Sequence, residues 1–134
     1  MKILFLLAYC INIFLIQNIF EKSIFYNVIS GSDIKAINHT IFILEKEPRS
    51  SINNAYLGAL LIKKSLFVQK SKEKIASFNK GKLLLEKEVV KNPDNIEIRF
   101  IRLIIQENTP KFLKYNYISY NVTITNYLSF FIRS

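Results

Sequence analysis

NPDNIEIRFIRLIIQENTPKFLKY, residues Asn92 to Tyr115, carries the signals from which the fold is read. Asn92-Pro93-Asp94-Asn95 is a turn followed by a helix entry. Proline blocks continuation of the preceding helix, and Asp94 or Asn95 can cap the next one. From Ile96 to about Gln106 the spacing predicts a helix. At 100° per residue, Asn95, Arg99, Arg102 and Gln106 fall on one narrow polar stripe. Ile96, Phe100 and Leu103 lie on one flank of it, and Ile98, Ile101 and Ile105 on the other. A helix with so little polar circumference is expected to pack on several sides, so this one is read as the centre of the fold. Thr109-Pro110 then ends it and starts another, with proline at the first helical position.

Glu97 departs from the pattern, because its direction falls inside the apolar arc. A carboxylate there needs a charged or hydrogen-bonding partner. A Lys or Arg from a neighbouring helix would make it structural; without one it would be a ligand-binding carboxylate. Arg99 and Arg102 have a parallel pair of readings, a solvated stripe or a polar lining for a bound partner.

Working outward, the other segments are helical too. Ser32 or Asp33 can cap a helix running to about Glu47, with Ile34, Ile37, Ile41 and Leu44 on one face. His39 sits in the middle of it. The breaker segment Glu45 to Ser50 follows, containing Pro48. Ser51 can cap a helix from Ile52 to about Phe67, in which Ala55, Ala59, Ile62 and Leu66 share a face. Gly58 beside Ala59 would let a neighbouring helix come close. A longer helix is expected from about Ser71 to Lys91, with Ile75, Phe78, Leu85 and Val89 inward. Glu21 to Gly31 reads as a linker or short extended entry. The tail, Asn116 to Ser134, fits a helix or a strand; with no partner strand in sight, helix is the expectation.

The chain has 134 residues and a formal net charge of +9, with three Gly and no Trp. That length suits one small domain. Few Gly and Pro argue against a turn-rich sandwich or barrel. Residues 1–21 form a separate unit in sequence. Met1-Lys2 precedes Ile3 to Phe20, which contains no charge. This fits a secretory signal, and its length also suffices for a membrane anchor. Either reading exports the protein, to the periplasm or to the membrane-anchored cell envelope. Residues 22–134 then make a single α-helical domain. Its fold class is all-α, a stack of antiparallel helical hairpins after an N-terminal hydrophobic segment.

Gly81, Leu85 and Pro93 have the small-x3-large-x7-Pro spacing of the second helix of a tetratricopeptide repeat, and Asn92 to Asn95 is similar to the loop that closes such repeats. The positions where the first helix would carry its aromatic and Leu-Gly hold Ser65, Val68 and Gln69. No second copy appears at a 34-residue period. The resemblance therefore implies one degenerate repeat in a tetratricopeptide-like stack. The chain also resembles small exported proteins of Bacteroidetes-type bacteria. The segments that carry this resemblance are Asn54 to Leu60, Phe78 to Lys82, Glu97 to Glu107 and Pro110 to Tyr115. It implies export and a helical fold, and no reaction.

The sequence points away from catalysis. A metal site needs clustered His, Cys or carboxylates, and the chain has one His and one Cys, with Cys10 inside the hydrophobic segment. No glycine-rich phosphate loop is present. No cofactor is called for, and an interaction protein is the reading that remains. Its candidate groove residues are Arg99, Arg102, Gln106 and Glu97, with Tyr56 and Tyr115 as aromatic contacts for a protein or peptide partner. The alternative partner is an anionic membrane surface facing the lysine-rich stretch Lys63 to Lys91. That stretch has no Arg and little aromatic interleaving, so nucleic acid is not expected.

Overall fold

The computed structural model describes residues 1–3, 22–110 and 115. Among these the chain is all-helical, with five helices and no strand. The N-terminal hydrophobic run, the helix expected after Pro110 and the tail lie outside the described residues. Helix α1 is described over residues 22–30. The others are α2 (Ile34–Lys46), α3 (Ser51–Ser65), α4 (Ser71–Lys91) and α5 (Ile96–Asn108). Among the described residues no helix is long and apolar enough to cross a membrane.

Side-chain caps set three of these starts. The Asp33 carboxylate accepts from the Lys35 N–H at 2.9 Å and opens α2. Asn95 accepts from the Ile98 N–H at 3.1 Å and opens α5. Ser50 caps α3 by accepting from the Asn53 N–H at 3.1 Å, one residue earlier than the sequence suggested. At the other end of α5, the Thr109 hydroxyl donates to the Ile105 carbonyl at 2.6 Å, so this threonine closes the helix it follows.

Residues 22–30 are helical where an extended entry was expected. Phe25 and Ile29 stand four residues apart, on one face of a helix, and both are buried. That burial overrides the weak helix propensity of the aromatic and β-branched run Ile24 to Ile29. Gly31 follows the last helical residue, and its N–H returns to the Val28 carbonyl.

The centre of the fold is α3, and α5 packs at its side. Every residue from Ala55 to Ile62 is buried, and a helix that is apolar all round must be enclosed. Side chains two residues apart on a helix differ in direction by about 200°. Tyr56 meets Phe25 of α1, whose ring stacks on it with centroids 4.0 Å apart. Gly58 points the opposite way and meets α4. Helices α2 and α5 also pack against α3 and fill the remaining sides. On α5 only the Ile98, Ile101 and Ile105 flank is buried, while Ile96 and Phe100 stay exposed. That flank packs on α3 and α4, and on another side α5 meets α1 through the Glu97–Lys22 pair and the Phe100 ring, 6.1 Å from that of Tyr26.

The α3–α4 crossing is a backbone contact. A Cβ on Gly58 would lie 2.8 Å from the Gly81 carbonyl oxygen and 2.9 Å from the Leu85 nitrogen. A Cβ on Gly81 would lie 2.5 Å from the Gly58 oxygen and 2.8 Å from the Ile62 nitrogen. Each glycine is thus required by the other. Gly81 also fixes the rotation of α4, turning Phe78, Leu85 and Glu88 inward. Ile75 was expected to share that inward face, but it is exposed. It stands six residues from Gly81, which places it about 240° away around the helix.

Glycine to alanine inside a helix ordinarily stabilises by about 1 kcal/mol. Here the sign reverses, because the new methyl meets backbone that cannot yield. Gly58→Ala or Gly81→Ala is expected to destabilise by about 1–3 kcal/mol or more. Urea unfolding followed by circular dichroism checks this; an unchanged or raised midpoint refutes the close crossing.

Candidate functional site

Four of the six residues singled out from sequence, Glu97 with Tyr56 and Arg102 with Tyr115, fall into two separate clusters, and neither cluster is an open groove. In the first, Glu97 of α5 meets α1 and α3. Its Oε2 accepts from Lys22 Nζ at 2.8 Å, and its Oε1 accepts from the Tyr56 hydroxyl. Tyr56 is buried, Phe25 stacks on its ring, and Tyr26 packs edge-on to both. The Glu97 side chain is 24% exposed. This carboxylate therefore has the lysine of a neighbouring helix as its partner, and it ties three helices together.

In the second cluster, Arg102 of α5 donates from Nε to Glu86 Oε1 of α4 at 2.8 Å. The Tyr115 hydroxyl donates to the same oxygen at 2.7 Å. Phe78 packs edge-on against the Tyr115 ring, with Lys82 Nζ 5.3 Å from its centroid. Burial and the Glu86 carboxylate push the Tyr115 phenol well above the ordinary tyrosine value, and Arg102 pulls only partly the other way. Tyr115 is a hydrogen-bond donor here and stays protonated.

Tyr56 and Tyr115 thus belong to different clusters. Arg99 donates from Nη1 to the Pro93 carbonyl at 3.2 Å, bracing the turn before its own helix. Gln106 lies half-buried on the same stripe. The stripe is a row of side chains, and its middle member, Arg102, is committed to α4.

A third polar group joins α3 to the end of α4, and the sequence reading missed it. Glu88 is 3% exposed. Its Oε1 accepts from Asn54 Nδ2 at 2.9 Å and its Oε2 from Asn92 Nδ2 at 3.2 Å. Arg49 Nη1 reaches the Asn54 Oδ1 at 3.3 Å, which orients that amide toward the carboxylate. A sequence signal for Glu88 existed, since it lies seven residues after Gly81 and three after Leu85, on the inward face of α4. Glu86 and Lys22 had none. Their partners stand 16 and 75 residues away in sequence.

A shallow notch between α1, α2 and α3 is walled mainly by Ile24, Phe25, Ile43, Leu44 and Tyr56, with Thr40, Glu47 and Asn53 at its polar edges. Glu97 is not among its walls. Among the described residues no buried side-chain nitrogen or oxygen lacks a partner. No group of three or more His, Cys, Asp and Glu is placed to hold a metal ion. Comparisons with protein-family models, with curated proteins and with solved structures return no match. The geometry itself is the evidence for function. Three carboxylates, each held by donors from other helices or turns, make struts.

Two expectations follow. Tyr56→Phe leaves the Glu97 carboxylate short of one donor beside a buried ring, at a cost of about 1–2 kcal/mol. The loss should appear as faster amide exchange in residues 22–30, and unchanged exchange there argues against the strut. Arg102→Ala leaves Glu86 without its cation and should cost about 1–3 kcal/mol, while Arg99→Ala, which loses one contact to an exposed turn, should stay within about 0.5 kcal/mol. Chemical denaturation of both variants decides; equal effects contradict the division of the stripe.

Proposed function

We propose that the protein is a non-enzymatic helical interaction module of the cell envelope, a tetratricopeptide-like hairpin that offers the outward face of α5 to a protein partner. The observation that carries the reading is the reciprocal Gly58–Gly81 crossing. Small residues facing one another across the two helices of a hairpin let the pair pack as one rigid unit. Asn54-x2-Leu57-Gly58-x2-Leu61 then occupies the place of the Trp-x2-Leu-Gly-x2-Tyr pattern of a repeat's first helix, and Gly81-x3-Leu85 with Pro93 that of the second. The first helix stands further back in the chain than a 34-residue period places it. Most of the difference is the part of α4 that precedes Gly81, since α4 already begins at Ser71.

The clusters around Glu97, Glu86 and Glu88 support a scaffold, because their polar groups hold helices together. On α5, Ile96 and Phe100 are exposed beside Arg99, the Phe100 ring standing at the edge of α1 with its centroid 6.1 Å from that of Tyr26. Aromatic residues, phenylalanine among them, and arginine are enriched at protein interfaces. The envelope location rests on the uncharged run Ile3 to Phe20.

A photo-crosslinking residue at Phe100 in the native host tests this reading. A discrete protein adduct is expected, and Arg99→Glu should abolish it without changing the melting temperature. If no discrete adduct forms, or if the adduct survives Arg99→Glu, the α5 face is not the interaction surface.

A further inference from the structure

We propose that the outer face of α4 is a docking surface for an anionic lipid bilayer, a second binding surface independent of the α5 reading. Leu83 is 73% exposed and Val90 79%, and Ile75 is also exposed. These are large apolar side chains on a helix whose opposite side, Phe78, Gly81, Leu85 and Glu88, is buried. Around the helix, Leu83 and Val90 stand about 20° apart, at the centre of the outward face. Lys72 and Lys87 lie within about 40° of Leu83, Lys80 within about 60° and Lys91 within about 80°. All four lysines are exposed. From Ile75 to Val90 the stripe runs about 22 Å at 1.5 Å per residue.

The nearby acids are turned to other groups. Glu73 pairs with Lys70 at 3.2 Å. Glu86 points to Arg102 and Tyr115. Glu88 is buried under the helix. Glu45 of α2 approaches Lys80 at 3.8 Å, which leaves Lys72, Lys87 and Lys91 as the cations for a lipid surface. An apolar ridge bordered by lysines is the pattern of a helix that lies in a bilayer interface, its apolar side chains below the headgroups and its ammonium groups at the phosphates. Lysine serves here because a headgroup phosphate needs a point charge on a flexible stem and no fixed fork. Phosphate chemistry of this kind is shared by free anions, but a free anion offers nothing to Leu83 and Val90, whereas a bilayer offers its acyl region. With α4 against a bilayer, α1 stands on the far side of α3, since Tyr56 and Gly58 face opposite ways.

The test is vesicle sedimentation of the full-length chain, with 30% phosphatidylglycerol vesicles against pure phosphatidylcholine, at low and high salt. The wild type should bind the anionic vesicles and lose most of that binding in high salt. Each lysine at the surface is worth about fivefold in partitioning, so K72E/K87E should bind at least about 25-fold more weakly. Leu83→Asp should weaken binding comparably, with melting temperatures unchanged. As a second readout, an environment-sensitive dye on Val90→Cys in a Cys10→Ser background should shift to the blue on anionic vesicles. Equal binding to neutral vesicles, or binding that both variants retain, would assign the affinity to the apolar N-terminal run and overturn the proposal. So would an absence of binding, or a dye that stays in water.

Discussion

The contact between the backbones of Gly58 and Gly81 is the constraint on which the rest of the structure depends. Any side chain at either position would force α3 and α4 apart. At that separation several other contacts become possible. Ser77 donates its hydroxyl to the Leu61 carbonyl at 2.8 Å, and Asn54 reaches Glu88. The crossing also sets the phase of α4. Leu85 then falls in the core, Glu86 at the edge shared with α5, and Leu83 and Val90 in the open. Helix α5 packs on the corner that α3 and α4 make together. A displacement at the glycines would be passed to each of these contacts, because close-packed interiors transmit changes of fractions of an ångström.

Acidic residues are the scarcer charge in this basic chain, and several of them act inside the fold. Glu97 ties α5 to α1 and α3, Glu86 ties α4 to α5, and Glu88 ties α4 to α3. Each accepts two or more hydrogen bonds, which is the condition under which a shielded carboxylate is tolerated. The struts add directional contacts to a core whose packing is already set at the glycine crossing. Their placement also explains the surface. With Glu86 and Glu88 turned to α5 and α3, and Lys80 facing Glu45 of α2, the outer face of α4 keeps Lys72, Lys87 and Lys91 beside Leu83 and Val90.

Two surfaces therefore stand out on a rigid body. The outward face of α5 carries Ile96, Arg99 and Phe100, and the outward face of α4 carries Leu83 and Val90 among lysines. They lie on neighbouring helices joined by the Asn92–Asn95 turn.

Much of the helical layout was legible in sequence, because caps and breakers act locally. Asp33, Asn95 and Pro93 mark boundaries through bonds or steric limits that reach only a few residues. The burial of Ile98, Ile101 and Ile105 was legible as one flank of α5 from spacing. Residues 22–30 are helical, not extended, with Phe25 and Ile29 buried against helices distant in sequence. The centre was also misplaced: α5 has the cleaner pattern, but the run Tyr56 to Ile62 is apolar on every side and marks α3 as the enclosed helix. The Glu97 question could be posed from sequence and not answered, as its partner Lys22 lies 75 residues away. The sequence by itself determined the helix class, most of the boundaries and the positive charge, all of which depend on composition or near neighbours. Only the tertiary structure decided which helix is central, which carboxylates are struts and which lysines face outward, because those depend on the angle and separation at which the glycines let two helices cross.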